Sequence, residues 1–148
     1  MKGIRRILYA TDYSKASGRA REKAIELAKD YDAELWVVHV IAPTTAYFSE
    51  QEFGGAELYM KLEESATREA ESSMKRLMRA LEKTKLKAKS LLLRGSPHEQ
   101  IVKAAKSKKA DMIVIGTHGR TGLSKLFMGS VAGRVVSTAS CPVLTVRQ

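Results

Sequence analysis

Cysteine is almost absent: Cys141 stands alone in 148 residues. No disulfide can close within the chain, and a reducing compartment is the simple expectation. Cys141 precedes Pro142 at the edge of an apolar run, a place for a packing residue rather than a nucleophile. No apolar run approaches the roughly 20 residues of a membrane-spanning helix. Met1 to Arg6 is basic, but only Ile7 to Ala10 follow before Asp12, too short for the apolar core of a secretory leader. A cytoplasmic location is therefore expected. Aromatic residues make up only 6% of the chain, and no nucleic-acid recognition motif is present. The three histidines, His39, His98 and His118, show no metal-ligand spacing. There is no internal repeat, low-complexity tract or linker, so residues 1–148 are expected to form one domain.

What is present is ordinary for a folded protein: 44% hydrophobic and 28% charged residues. The net charge of +10, from 26 Lys and Arg against 16 Asp and Glu, favours an anionic partner. It does not choose among nucleic acid, acidic membrane and nucleotide phosphates.

Apolar runs and helical patterns alternate along the chain. Ile4 to Thr11, Glu34 to Ile41, Leu86 to Arg94, Met112 to Ile115 and Pro142 to Val146 read as five strands. Small residues at Ala16, Ala20, Ala24 and Ala28 mark a helix able to lie close to a sheet, with Ser14 as its N-cap. Leu58 to Leu81 carries a second apolar stripe, opposite Glu64, Arg68, Glu71 and Lys75 at the i, i+4 spacing of ion pairs. Ser96-Pro97-His98-Glu99 is a helix start with the signature of a capping box. Between Pro43 and Gly55 no periodicity survives, and a long loop is expected there. Strictly alternating strands and helices predict an α/β fold: one doubly wound, five-stranded parallel sheet with helices on both faces, in a flavodoxin-like order or a close relative of it. Such sheets bind ligands beyond the carboxyl ends of their strands, where the strand order reverses. Thr11 and Asp12, Val40 and Ile41, Arg94 and Gly95, and Gly116 onward are then the candidate positions. Asp111 falls before its strand, at the opposite end of the sheet, and is discounted.

The densest signal is Asp111 to Val131, DMIVIGTHGRTGLSKLFMGSV. A strand ends at Gly116, a glycine-rich loop follows, and Gly129-Ser130 opens a helix. Glycines allow close backbone approach, and a helix N-terminus offers free N–H groups to an anion. Arg120 and Lys125 add positive charge. The order strand, glycine loop, helix suits a phosphate, although Gly116 and Gly129 also have the bland roles of ending a strand and capping a helix. The familiar phosphate loops fail. A P-loop would need Gly-Lys-Ser/Thr where Ser124-Lys125-Leu126 stand, and a dinucleotide loop would need its glycines after the first strand, where TDYSKASG stands.

The spacing G-x2-G-x9-G-S, from Gly116 through Gly119 to Gly129 and Ser130, resembles that of the universal stress protein family, in its ATP-binding branch. The likeness extends over the whole chain through ILYATDYS, WVVHVI, RGSPHEQIVKAA and SCPVLTV. It implies a strand order of 3-2-1-4-5, an adenine nucleotide as ligand, and a homodimer paired through Pro142 to Val146. It further implies adenine held by backbone groups at Ala10, Thr11, Asp12 and Val40. Ribose and phosphates would lie against Gly116, Gly119, Arg120, Gly129, Ser130 and Val131. Asp12 would stand near the ribose or a Mg or Mn ion bridging the phosphates; one carboxylate suffices, because Mg²⁺ leans on substrate phosphates. Many members carry proline where this chain has Ala10, which leaves the shape of the adenine pocket open. No positioned base is legible. His118 is a weak phosphate contact, His98 a weaker candidate, and His39 reads as structural. The expected function is a nucleotide-dependent switch or stress-response factor with at most slow hydrolysis. A slow ATPase, an AMP-selective sensor and a nucleic-acid-binding protein are the alternatives.

Overall fold

Tyr9 and its neighbours set the architecture. In β1 (Arg6–Ala10) successive side chains point to opposite faces, and all but Arg6 are buried. Ile7 and Tyr9 enter one apolar layer, while Leu8 and Ala10 enter the other. A strand buried on both faces belongs at the centre of a sheet covered on both sides. The computed structural model describes residues 3–43, 55–118 and 128–147. It contains β1, α1 (Ala16–Tyr31), β2 (Glu34–Ile41), α2 (Gly55–Glu82), β3 (Ala88–Arg94), α3 (Pro97–Ser107), β4 (Met112–Gly116), α4 (Ser130–Thr138) and β5 (Val143–Val146). The sheet order is β3-β2-β1-β4-β5, and every pairing is parallel. Fold class and strand order match the expectation. Only the strand limits differ, by one or two residues where ladder pairing runs out.

The helices divide by face. Ala20, Ala24 and Ala28 of α1 and Met74, Leu77 and Leu81 of α2 pack on the Ile7 and Tyr9 side. Ile101, Ala104 and Ala105 of α3 and Ala132 and Val135 of α4 pack on the Leu8 and Ala10 side. Ala20, Ala24 and Ala28 are completely buried, so the helix lies close against the sheet as its small residues require.

The start of α1 is well determined. Lys15, not Ser14, stands at the N-cap and makes no side-chain cap bond; Ser14 lies one residue earlier, where its Oγ accepts Ser17 N–H at 3.2 Å. Other local details depart from the sequence reading. Ser96 stands at the N-cap of α3 but makes no side-chain cap bond. Its hydroxyl is 3.1 Å from His98 Nδ1 instead, so the capping box does not form. On α2, the described ion pair at i, i+4 spacing is Glu57–Lys61 at 3.6 Å, and Glu63 reaches Arg94 on β3 at 2.7 Å. The buried stripe of α2 starts only at Ala70; Leu58 is 38% exposed and Met60 60%. A helix of 28 residues is about 42 Å long, whereas the seven residues of β3 span only about 23 Å. The first turns of α2 therefore outrun the sheet. Residues 44–54, where the long loop is expected, lie outside the described residues.

Asp111 has a structural role at the far end of the sheet. Its Oδ2 accepts the N–H groups of both Arg5 and Arg6 at 2.9 Å, which fixes the entry of β1 beside β4. That placement agrees with setting it aside as a catalytic residue.

Candidate functional site

The sheet order reverses between β1 and β4, and a crevice opens there beyond their carboxyl ends, with a cavity of about 210 Å³. Its floor is apolar: Ala10, Val38, Val40, Ile101, Ile115 and Ala132. Its rim is polar, with Thr11, Asp12, His39, Thr117, His118 and Ser130. An apolar slot with a few convergent polar groups is the usual form of a small-molecule site.

The β1 side of the rim is held by a chain of hydrogen bonds whose direction can be read. Ser17 Oγ donates to the Ser14 carbonyl at 2.8 Å; a carbonyl only accepts, so the Ser17 proton is committed. Thr11 Oγ1, 3.1 Å from Ser17 Oγ, is then the donor to it. Thr11 Oγ1 in turn accepts Tyr13 N–H at 3.0 Å. Asp12 Oδ1 accepts Ser14 N–H at 2.9 Å, an Asx turn that carries the chain into α1. Tyr13 sits at φ 63°, a left-handed conformation uncommon outside glycine. It is held there by its hydroxyl on Ala70 O at 3.1 Å and by a ring contact with His39 at 4.2 Å. Beneath the turn, the buried Tyr9 hydroxyl donates to Ser17 O at 2.8 Å. Burial pushes the Tyr9 phenol above its ordinary pKa, because the phenolate would lose its hydration there.

The β4 side joins strand end to helix start. Thr117 N–H bonds Val146 O at 3.0 Å, and Gly129 N–H bonds Thr117 O at 2.6 Å. Gly129 is thereby fixed at the N-cap of α4. The first N–H groups of a helix have no intrahelical partner, and glycine has no side chain with which to cap them. The start of α4 therefore presents backbone donors and the positive end of the helix dipole to the crevice.

Of the residues singled out in the sequence, Ala10, Thr11, Asp12, Val40, Gly116, Gly129, Ser130 and Val131 all line this one crevice. Gly119 and Arg120 lie outside the described residues. His118 is buried in the wall, its Nδ1 2.8 Å from Thr117 Oγ1. His98 does not line the crevice. His39 was read as structural from its strand, and it does stabilise structure: its Nδ1 is 2.8 Å from Thr11 O, so Nδ1 carries the proton. It also forms crevice wall, a double role that strand periodicity does not reveal. Ser17 and Pro97 line it too, although the sequence marks Pro97 only as part of a helix start. Pro97 was legible in hindsight, since it directly follows the turn after β3. Among the described residues no group of three His, Cys, Asp or Glu is arranged to hold a metal, and no helix is long and apolar enough to cross a membrane.

The chain is thus a doubly wound α/β protein with a crevice at its reversal point, bounded by a helix N-terminus, the position at which sheets of this kind bind ligands. Residues 3–147 match the model of the universal stress protein family, and the chain belongs to that family. It is 37% identical over 146 residues to universal stress protein MJ0531 of Methanocaldococcus jannaschii, covering 97% of this chain and 82% of the other. It is 39% identical to a universal stress protein of Thermus aquaticus over 142 residues, covering 95% and 97%. Among solved structures, that of MJ0577 superposes with a TM-score of 0.85 at 32% identity, covering 99% and 97%. Two others share the fold at lower identity. One is a universal stress protein in complex with cAMP (TM-score 0.63, 23% identity, 99% and 98% covered). The other is from Archaeoglobus fulgidus in complex with dAMP (TM-score 0.69, 24% identity, 97% and 98% covered).

Proposed function

We propose that this protein binds an adenine nucleotide, ATP in the first instance, in the crevice between β1 and β4, and acts as a nucleotide-dependent factor rather than a metabolic catalyst. The observation that carries the reading is the pairing of an apolar slot with an uncapped helix start. Val38, Val40, Ile101 and Ile115 suit a flat heterocycle, and the N-terminus of α4 suits its phosphates. Backbone groups at Ala10 to Asp12 and at Val40 would read the base. Gly116, Gly129, Ser130 and Val131 would face ribose and phosphates, with Gly119 and Arg120 completing the loop. Asp12 lies on the crevice rim, where one carboxylate would meet a Mg or Mn ion carried by the phosphates. β5 is an edge strand of the sheet, and an edge offers backbone groups for pairing with a second copy, which supports a homodimer through Pro142 to Val146.

A mononucleotide is the second reading. The 210 Å³ cavity lies below the about 300–1,000 Å³ common for ligand pockets, and the two complexes of the same fold hold cAMP and dAMP. The experiment is direct. Freshly purified protein is denatured, any released nucleotide is identified, and ATP and AMP are titrated calorimetrically with and without Mg²⁺. Gly129→Leu should abolish binding while the circular dichroism spectrum is retained. Finding no carried nucleotide and no heat of binding from either would refute the proposal. Steady phosphate release that vanishes in Asp12→Ala would instead make the protein a slow ATPase.

A further inference from the structure

On the opposite face of the sheet a second cleft of about 520 Å³ runs between α1 and α2. Two helical stripes form its walls. Lys15 at the N-cap of α1 and Gly18 and Arg21 within it recur every three residues, and Ser73 and Arg76 stand three apart on α2, a spacing that puts each set on one helix face. Three cations thus line a cleft that, among the described residues, has no carboxylate in its lining. Among the described residues, Lys15, Arg21 and Arg76 take part in none of the ion pairs; Arg76 donates only to Ser73 Oγ, at 3.1 Å. Like charges gathered around one gap repel, and an anion between them would relieve that repulsion. The cleft is also kept open. A Cβ at Gly18 would meet nothing within 4 Å, so packing does not demand glycine there, although alanine is the better helix former.

The geometry points to an anion site in this cleft that takes a small, multiply charged phosphate compound, with Arg21 and Arg76 as opposing forks and Lys15 at the mouth. Guanidinium groups match phosphate oxygens with paired donors, and the Ser14 and Ser73 hydroxyls lie in the same lining. The site is separate from the crevice between β1 and β4, but the two share Thr11 and Ser17 as a common wall. The hydrogen-bonded turn from Thr11 to Ser17 is therefore touched from both sides, and occupancy of one cavity bears on the shape of the other.

The probe is inorganic pyrophosphate, titrated into the full chain by calorimetry at low ionic strength and followed in parallel by amide NMR shifts. Saturable binding is expected, with the shifts concentrated at residues 15–21 and 73–76. Arg21→Ala and Arg76→Ala should each weaken it by about tenfold or more, since each removes charge-assisted hydrogen bonds. Gly18→Leu fills the cleft and should abolish it, and leucine is a better helix former than glycine, so the fold survives. Adenine-nucleotide binding should persist in Arg21→Ala and Arg76→Ala, while pyrophosphate binding here should persist in Gly129→Leu, which keeps the two proposals separately testable. Three results would overturn the inference. These are no saturable binding, an equal response to chloride at matched ionic strength, and binding that survives Gly18→Leu and both arginine changes but disappears in Gly129→Leu.

Discussion

Replacing Tyr9 by Phe isolates one hydroxyl that underlies both cavities. The ring is 1% exposed, and its hydroxyl donates to Ser17 O at 2.8 Å. Ser17 O also lies in the helical ladder of α1, so the substitution leaves no buried acceptor orphaned. The loss is then the net worth of one neutral hydrogen bond, about 1 kcal/mol, with no large cavity to add to it. For a chain of this size that is about 2–4 °C in melting temperature. A second signature lies in alkali. The folded protein holds the Tyr9 proton above the ordinary tyrosine pKa because burial penalises the phenolate. Above about pH 10 the unfolded chain releases this proton while the folded chain retains it. The contribution is fully present below pH 10 and is lost as pH rises from there through the folded pKa. Urea titrations of parent and Tyr9→Phe at pH 7, 9 and 11 read both effects. The variant should be less stable at pH 7 and 9, and the gap should narrow or invert at pH 11. An unchanged midpoint at pH 7, or an alkaline loss as steep in the variant as in the parent, would refute the reasoning.

Other consequences follow from single contacts. Asp111→Ala removes the acceptor of two backbone N–H groups and should cost about 1.5 kcal/mol, the low end for charged acceptors because the site is exposed to water. Chemical denaturation would show it, and nucleotide affinity should not change, since Asp111 lies at the far end of the sheet. Burial also pushes the Cys141 thiol up, so its reaction with an aromatic disulfide reagent at pH 8 should be slower than that of a free thiol and should accelerate on adding urea.

The alternation of apolar runs with small-residue helices was enough to place five parallel strands and two helical layers. The reason is that Ile7, Leu8, Val37, Val38, Ile113 and Val114 are buried on both sides and leave no alternative patterning. The backbone elements that border the crevice were legible, because the strand end at Gly116 and the helix start at Gly129-Ser130 both carry glycine punctuation. What stayed hidden depends on side chains meeting across the fold. His39 looks like any strand residue until β1 brings the Thr11 carbonyl to its ring. Ser96 and Glu99 spell a capping box, yet His98 takes the serine hydroxyl first. Gly116 was singled out for conformational freedom, but an added Cβ would meet neighbours only at 3.5 Å or more, which is ordinary contact. The cationic cleft escaped because charges spread at helical spacing over two distant segments resemble a solvated surface.

Asp111 and the pairing it guards also set a timetable for folding. Ile7 pairs with Met112 and Ala10 with Ile115, partners about a hundred residues apart along the chain. At the usual pace of about 5–20 residues per second, β1 leaves the ribosome roughly 5–20 s before the strand that must lie beside it. Until then one side of the central strand is a bare, strongly apolar edge, a template for mispairing with a neighbouring chain. The crevice is thus among the last features to exist, since its two halves cannot meet before β4 arrives.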